Sequence, residues 1–157
     1  MAEQWTPMRY FAVTHAASFQ RFYRGFLRLL FLLEPLWRVM GQRRTQRLLL
    51  AVEKPSKSLL FDCRMCGACI LGQTGMSCPM NCPKNIRNGP CGGVRANGHC
   101  EVRPDMRCVW VEAWRGSRNL RETNAILTLQ PAYDQRLKGR SSWFADLERR
   151  RQERAAP

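Results

Sequence analysis

Apolar residues recur at Phe19, Phe22, Tyr23, Phe26, Leu27, Leu30 and Leu33, three or four positions apart, with Arg21, Arg24 and Arg28 on the opposite side. That period predicts an amphipathic helix over 19–33. Pro35 can stand in the first turn of a second helix, because its missing N–H is one that a helix start leaves unbonded anyway. This second helix is expected from about Leu36 to Val52, with Leu36, Trp37, Met40, Leu48, Leu49 and Leu50 set among arginines. Residues 1–60 therefore read as helical. The stripe is generous for a helix with so little chain to pack against. It is open to three uses: covering the rest of the chain, docking another protein, or, least favoured, lying on a membrane surface.

The pattern changes at residue 61. Residues 61–108 are rich in Gly, Pro and Asn, which make turns rather than long regular elements. Asn97-Gly98, between Val94-Arg95-Ala96 and His99–Val102, predicts a hairpin with a two-residue loop. Cys100 would then face Arg95, and Cys91 would lie four strand positions further, about 13 Å at roughly 3.3 Å per residue. Gly92-Gly93 is where the chain could bend out of that register. From Val109 the apolar run with Trp110 and Trp114 predicts a short helix reaching Arg118. Residues 119–142 are punctuated by Pro131 and Gly139, and a helical tail is expected after Ser142 as N-cap. The expected fold is small α+β and largely irregular. N-terminal helices (1–60) pack on a loop-dominated, Cys-rich metal module with a short β-hairpin (61–116), and an irregular and helical extension (117–157) follows.

The 157 residues amount to about one domain, short of the roughly 250 of a (β/α)₈ barrel. No Gly-x-Gly-x-x-Gly turn and no Walker-type phosphate loop is present. Redox work would have to be shared with a partner that carries the nucleotide or flavin. The net charge of +14 raises nucleic acid as a partner, but the basic residues are spread along the chain and no nucleic-acid motif accompanies them. Positive charge has another use: it stabilises the reduced form of an iron–sulfur cluster and steers an acidic electron carrier toward it.

All eight cysteines fall in one window: Cys63, Cys66, Cys69, Cys78, Cys82, Cys91, Cys100 and Cys108. Four disulfides would require export, yet the apolar stretch Phe26–Trp37 is broken by Arg28 and Glu34 and no small-residue cleavage site follows. Nothing approaches the roughly 18 apolar residues of a membrane span. Metal ligation in a reducing cytoplasm is preferred. The spacing Cys63-x-x-Cys66-x-x-Cys69, with Cys78-Pro79 and Cys82-Pro83 beyond, is that of iron–sulfur ligand runs. Eight thiolates suit two [4Fe–4S] clusters, or one cluster plus a tetrahedral zinc. Cys63, Cys66 and Cys69 group best and take their fourth ligand from further on. Cys78 and Cys82, one helical turn apart, are expected to share a metal with Cys91, leaving Cys100 and Cys108 divided between the two sets; the hairpin likewise separates Cys91 from Cys100. Lys84, Arg87 and Arg95 either donate to cluster sulfurs and an acidic partner or are plain solvated cations; the two roles are equally open. His99 beside a turn reads as a polar surface residue. A catalytic thiol is disfavoured by the number of cysteines.

The run Phe61-Asp-Cys-Arg-Met-Cys-Gly-Ala-Cys, the segment Thr74 to Val94 with its Cys-Pro-Met-Asn-Cys-Pro and Gly-Pro-Cys-Gly-Gly, then Gly98-His-Cys-Glu-Val and Cys108-Val-Trp resemble the methylenetetrahydrofolate reductase C-terminal domain family. The resemblance is dense over 61–114, loose before it, and extends to Ser141-Ser142-Trp143. It implies a small metal-binding subunit, not catalytic alone, that pairs with a flavin-dependent barrel reductase interconverting 5,10-methylene- and 5-methyltetrahydrofolate. The flavin would sit on that partner only, and this chain would relay electrons or hold the complex together.

Overall fold

A computed structural model describes residues 5–155. Residues 7–61 are almost wholly helical, as the apolar period predicts over 19–33 and 36–52, but divided into four helices rather than two. These are α1 (Pro7–Thr14), α2 (Ala16–Leu32), α3 (Glu34–Met40) and α4 (Gln42–Phe61). Thr6 caps α1, its hydroxyl accepting from Arg9 N–H, and Pro7 follows at the first helical position. The expected 36–52 helix is cut at Gly41, whose φ of +83° no L side chain adopts cheaply. Downstream the helix runs past Val52 and through Pro55 to Phe61, where a proline would ordinarily end it.

The end of α4 delivers the chain to the cysteines. Asp62 adopts a left-handed conformation and donates its N–H to the Ser58 carbonyl, while Cys63 N–H reaches Lys57. This is the αL form of helix ending, with Asp62 in the place usually taken by glycine. Lys57 thus sits in the last turns of α4, six residues before Cys63, on a rigid element. Two further helices follow, α5 (Val109–Ser117) and α6 (Ser142–Ala155), with 3₁₀ turns at Pro79–Asn81, Thr123–Leu127 and Gln135–Leu137. Ser141, not Ser142, caps α6, its hydroxyl accepting from Phe144 N–H.

The mixed character is slight. Among the described residues, pairing is limited to the isolated antiparallel bridges Val94↔Cys100 and His99↔Arg107. The turn closes with Gly98 N–H on the Arg95 carbonyl and Arg95 N–H on His99, so the loop has three residues and Gly98 takes φ +80°. Cys100 consequently opposes Val94, one position off the expected Arg95. The type I turn followed by a left-handed glycine competes with the two-residue loop for the same Asn-Gly sequence, and here it wins.

Three apolar cores hold these elements. Leu27, Leu30, Leu49, Trp143 and Leu147 join α2, α4 and α6. Ala12, Ala16, Phe61, Leu71, Met76 and Cys78 tie α1 and the end of α4 to the first half of the cysteine window. Val13, Cys82, Cys100, Met106, Cys108 and Trp110 tie α1 to the second half. The apolar stripe of α2 is therefore partly core, while Phe22, Leu29, Leu32 and Leu33 stay exposed. Gly75 and Gly116 lie backbone to backbone, leaving no room for a Cβ on either, and this fixes the 70–78 loop against α5. No helix among the described residues is long and apolar enough to cross a membrane.

Candidate metal centre

The cysteines separate into two sets. Cys63, Cys66, Cys69 and Cys78 line one small cavity together with Lys57, Arg87 and Met80. Cys78 hydrogen-bonds to the Cys63 sulfur, and Cys69 is within electrostatic reach of Cys63, Cys66 and Cys78. Cys82, Cys100 and Cys108 are buried in one apolar core with Val109 and Trp110. Cys91 joins that side through Lys84, which bonds it and also pairs with Glu101, the neighbour of Cys100. The expected partnership of Cys78 with Cys82 is not what the fold makes. The 3₁₀ turn Pro79–Asn81 stands between them, so the two sulfurs enter different cores. The chain bends at Gly92 and Gly93 N–H returns to Cys91 Sγ at 3.3 Å, so the straight-strand spacing that would part Cys91 from Cys100 does not extend past the Val94 bridge.

The loops around the first set are shaped to aim N–H groups at sulfur. Met65 and Gly67 both take positive φ, so Cys63 and Cys66 are each followed by a tight reversal. Met65 N–H donates to Cys63 Sγ at 3.4 Å, and the same offset of two places Leu71 N–H on Cys69 and Met80 N–H on Cys78. Hydrogen bonds of this kind stabilise thiolate and tune a metal bound to it.

Three cations ring the first set. Arg87 donates from Nη1 to Cys66 Sγ at 3.6 Å and from Nη2 to the Ala68 carbonyl at 2.9 Å. Its guanidinium lies over Tyr133, whose hydroxyl donates to the Cys66 carbonyl at 2.8 Å. Lys57 is buried beside Cys69, bonded to Glu53 at 2.6 Å and to Ser142 at 2.8 Å. Arg9 is 3% exposed and stacked on Trp5, with Asp62 3.8 Å away and, among the described residues, no hydrogen-bond partner for either Nη. A buried guanidinium without a bonded acceptor is costly unless nearby negative charge compensates it. Besides Asp62, Cys78 contributes to that compensation.

The electrostatics follow from this packing. The bond from Cys78 pushes the Cys63 thiol down to about 7 against the opposing effect of burial, with Met65 N–H and Lys57 assisting. Cys78, as the donor and buried, is driven well above the ordinary thiol range. Burial raises Cys69 while Lys57 holds it back. Burial works to lower Lys57, but Cys69, Tyr23 and Glu53 together outweigh it and the ammonium is held more firmly than usual. Burial lowers Arg9, the largest influence on it.

Of the three basic residues expected at a cofactor, Arg87 reaches the first set and Lys84 the second. Arg95 is exposed on the turn, and among the described residues its side chain bonds no sulfur. Arg9, Lys57, Glu53 and Tyr133 were not expected at the site; Arg9 arrives from α1 and Tyr133 from the C-terminal extension, while Glu53 and Lys57 stand on the end of α4. Glu53 is 1% exposed and anchors Lys57 while accepting from Ser141 Oγ at 2.5 Å and from the N–H groups that open α6. The C-terminal extension also closes over this set, with Gly139 N–H on the Met65 carbonyl at 2.8 Å and Leu137 against Gly67.

No three His, Cys, Asp or Glu side chains among the described residues converge tightly enough for a single metal ion. The donor chemistry nonetheless fits a thiolate-bound group. All eight cysteines are free, four line one cavity, and the cavity is compensated by one orphaned and two bonded cations.

Residues 42–136 match the family model described as methylene-tetrahydrofolate reductase C terminal. The chain belongs to this family. The match takes in α4, both cysteine sets, α5 and the strap that carries Tyr133, and it leaves α1–α3 and α6 outside. Lys57 and Arg87 are therefore within the reductase-linked segment, whereas Arg9 is not. Neither a curated protein nor a solved structure matches the chain significantly.

Proposed function

We propose that this chain is the metal-bearing accessory subunit of a methylenetetrahydrofolate reductase complex. It holds two [4Fe–4S] clusters and docks a flavin-dependent barrel subunit that interconverts 5,10-methylene- and 5-methyltetrahydrofolate. The observation that supports this reading is the cavity lined by four cysteines and ringed by cations, beside a core that holds three more, with Cys91 tied to it through Lys84. Four thiolates are the protein ligands of one such cluster.

Cys63, Cys66, Cys69 and Cys78 would hold the first cluster, and Cys82, Cys91, Cys100 and Cys108 the second. Bound clusters supply one-electron transfer, which links the two-electron chemistry of the partner's flavin to a one-electron carrier. Arg87 donates to a ligand sulfur, Lys57 and Arg9 offset buried negative charge, and the 65, 71 and 80 amides bond the sulfurs directly. The Glu53–Lys57–Ser142 network and the 133–139 strap cover one side of the first site. The exposed basic surface supports an acidic carrier as a second partner.

The test is anaerobic purification of the full chain with iron, sulfide and zinc analysis. Brown protein with broad absorption near 400 nm that bleaches with dithionite is expected, together with co-elution with the flavin subunit. A colourless protein holding only zinc would make it a structural interaction module instead.

A further inference from the structure

A second cavity lies against the first cysteine set and is not used by the function just proposed. Helices α2 and α4 diverge to leave a groove of about 240 Å³. One wall is Phe19, Tyr23 and Phe26 of α2; the other is Leu60 and Phe61 of α4. Trp143 closes one end, and Cys69, Leu71 and Gly72 form the floor. The lining is almost wholly apolar and carries six aromatic side chains, a composition that suits a flat ring. Its polar surface is small, and Tyr23, Ser56, Lys57 and Cys69 are the residues that could supply it.

The groove's lips are apolar too. Phe22 and Val52 stand at the mouth, 75% and 58% exposed. Leu29 and Leu33 continue the Phe22 stripe along α2, and Leu48 and Leu59 continue the Val52 stripe along α4. Exposed Arg21, Arg28, Arg44 and Arg47 punctuate the same helices. An exposed apolar stripe with arginines on the polar side of the same helices suits the surface of an anionic bilayer. A ligand of the groove would then be lipophilic, flat, and in contact with a cysteine of the redox site.

We propose that the groove between α2 and α4 binds the ring of a lipophilic quinone against Cys69, making the quinone pool the electron acceptor or donor for this subunit. The proposal rests on the electron-transfer function above. Reduction of a quinone to its quinol takes up two electrons and two protons. The electrons come from the folate oxidation proposed for the partner, the protons from water at the open mouth beside Ser56, and both flow back when the reaction runs in reverse.

The anaerobically purified full chain is titrated with a benzoquinone and a naphthoquinone, each bearing a ten-carbon tail, and with decanol as a redox-inert tail. Tryptophan emission is followed in the wild type and in Trp143→Phe. Saturable quenching is expected with a quinone, reduced in Trp143→Phe and weakened at least tenfold in two groove-filling variants. These are Ser56→Trp at the exposed mouth and Gly72→Leu on the floor, where a Cβ meets nothing within 4 Å. The exposed Leu127→Ala variant should bind as the wild type does. Circular dichroism and iron content, unchanged in Ser56→Trp, guard against misfolding. No saturable quenching, or equal affinity in the wild type and both filled variants, overturns the proposal. Equal affinity for decanol overturns it in favour of a lipid-tail groove. Iron and its paramagnetic signal are measured on the same samples. Quinone binding without iron would sink the redox function and leave the binding site standing, while iron without quinone binding would sink the site alone.

Discussion

The two cysteine sets occupy contrasting surroundings. The first lies in a cage of charge, with Arg9, Lys57 and Arg87 reaching it from three elements and backbone amides bonding three of its sulfurs. The second is embedded in an apolar core with Met106, Val109 and Trp110, and its one cation, Lys84, is exposed and shared with Glu101. Net charge and hydrogen bonds to sulfur raise the potential of a cluster, and burial in apolar surroundings lowers it. The first centre should accordingly be the easier to reduce. The contrast also divides structural labour, since the second set is part of a core while the first is supported from outside by α4, α6 and the 133–139 strap.

Single-ligand substitutions should separate the sets most sharply. Cys66→Ser is expected to lose about half of the bound iron and one paramagnetic signal while the fold persists. Cys100→Ser should lose the other half and lower the melting temperature as well, because its sulfur packs in the core. Loss of both centres in either variant, measured by iron analysis and electron paramagnetic resonance, would break the two-set division.

Next in size is the support of the first set. Glu53→Ala leaves the Lys57 ammonium buried without its carboxylate and removes the acceptor at the start of α6. Breaking such a buried pair costs about 3–5 kcal/mol, so a drop of roughly 6–12 °C or more is expected in thermal unfolding. A change within 1 °C would show that the network adds nothing.

Much of this arrangement was legible in the sequence, and the rest failed for definable reasons. The triplet Cys63, Cys66, Cys69 is local, so its spacing alone brought the sulfurs together. The helical period over 19–33 likewise reports a face that is partly core. Gly41 carried a readable stop signal that the surrounding apolar pattern obscured. Pro35 and Pro55 look alike in sequence, yet one opens a helix and the other is carried inside one. The fourth member of the first set depends on which side of the Pro79–Asn81 turn each sulfur emerges, and spacing does not encode that. Arg9 and Lys57 reach the site only because α1 and α4 pack against the loop; one arginine or lysine among 26 carries no mark of this.

A smaller effect tests the charge cage itself. Arg87→Ala should lower the potential of the first centre by about 40 mV, the equivalent of roughly 1 kcal/mol for one electron, and leave the second unchanged. Arg87→Lys should recover part of the shift, since it restores charge but not the forked contact to Cys66 and Ala68. Lys84→Ala, at an exposed pair, should move the second centre less than Arg87→Ala moves the first. Redox titration followed by paramagnetic resonance distinguishes these outcomes, and equal shifts at both centres would erase the contrast.

The most direct measurement is the metal content and paramagnetic signature of the full chain purified without oxygen. Two [4Fe–4S] clusters require about eight iron and eight sulfide per chain and two reducible signals of different potential. Zinc alone, with no colour and no signal after dithionite, would contradict the account.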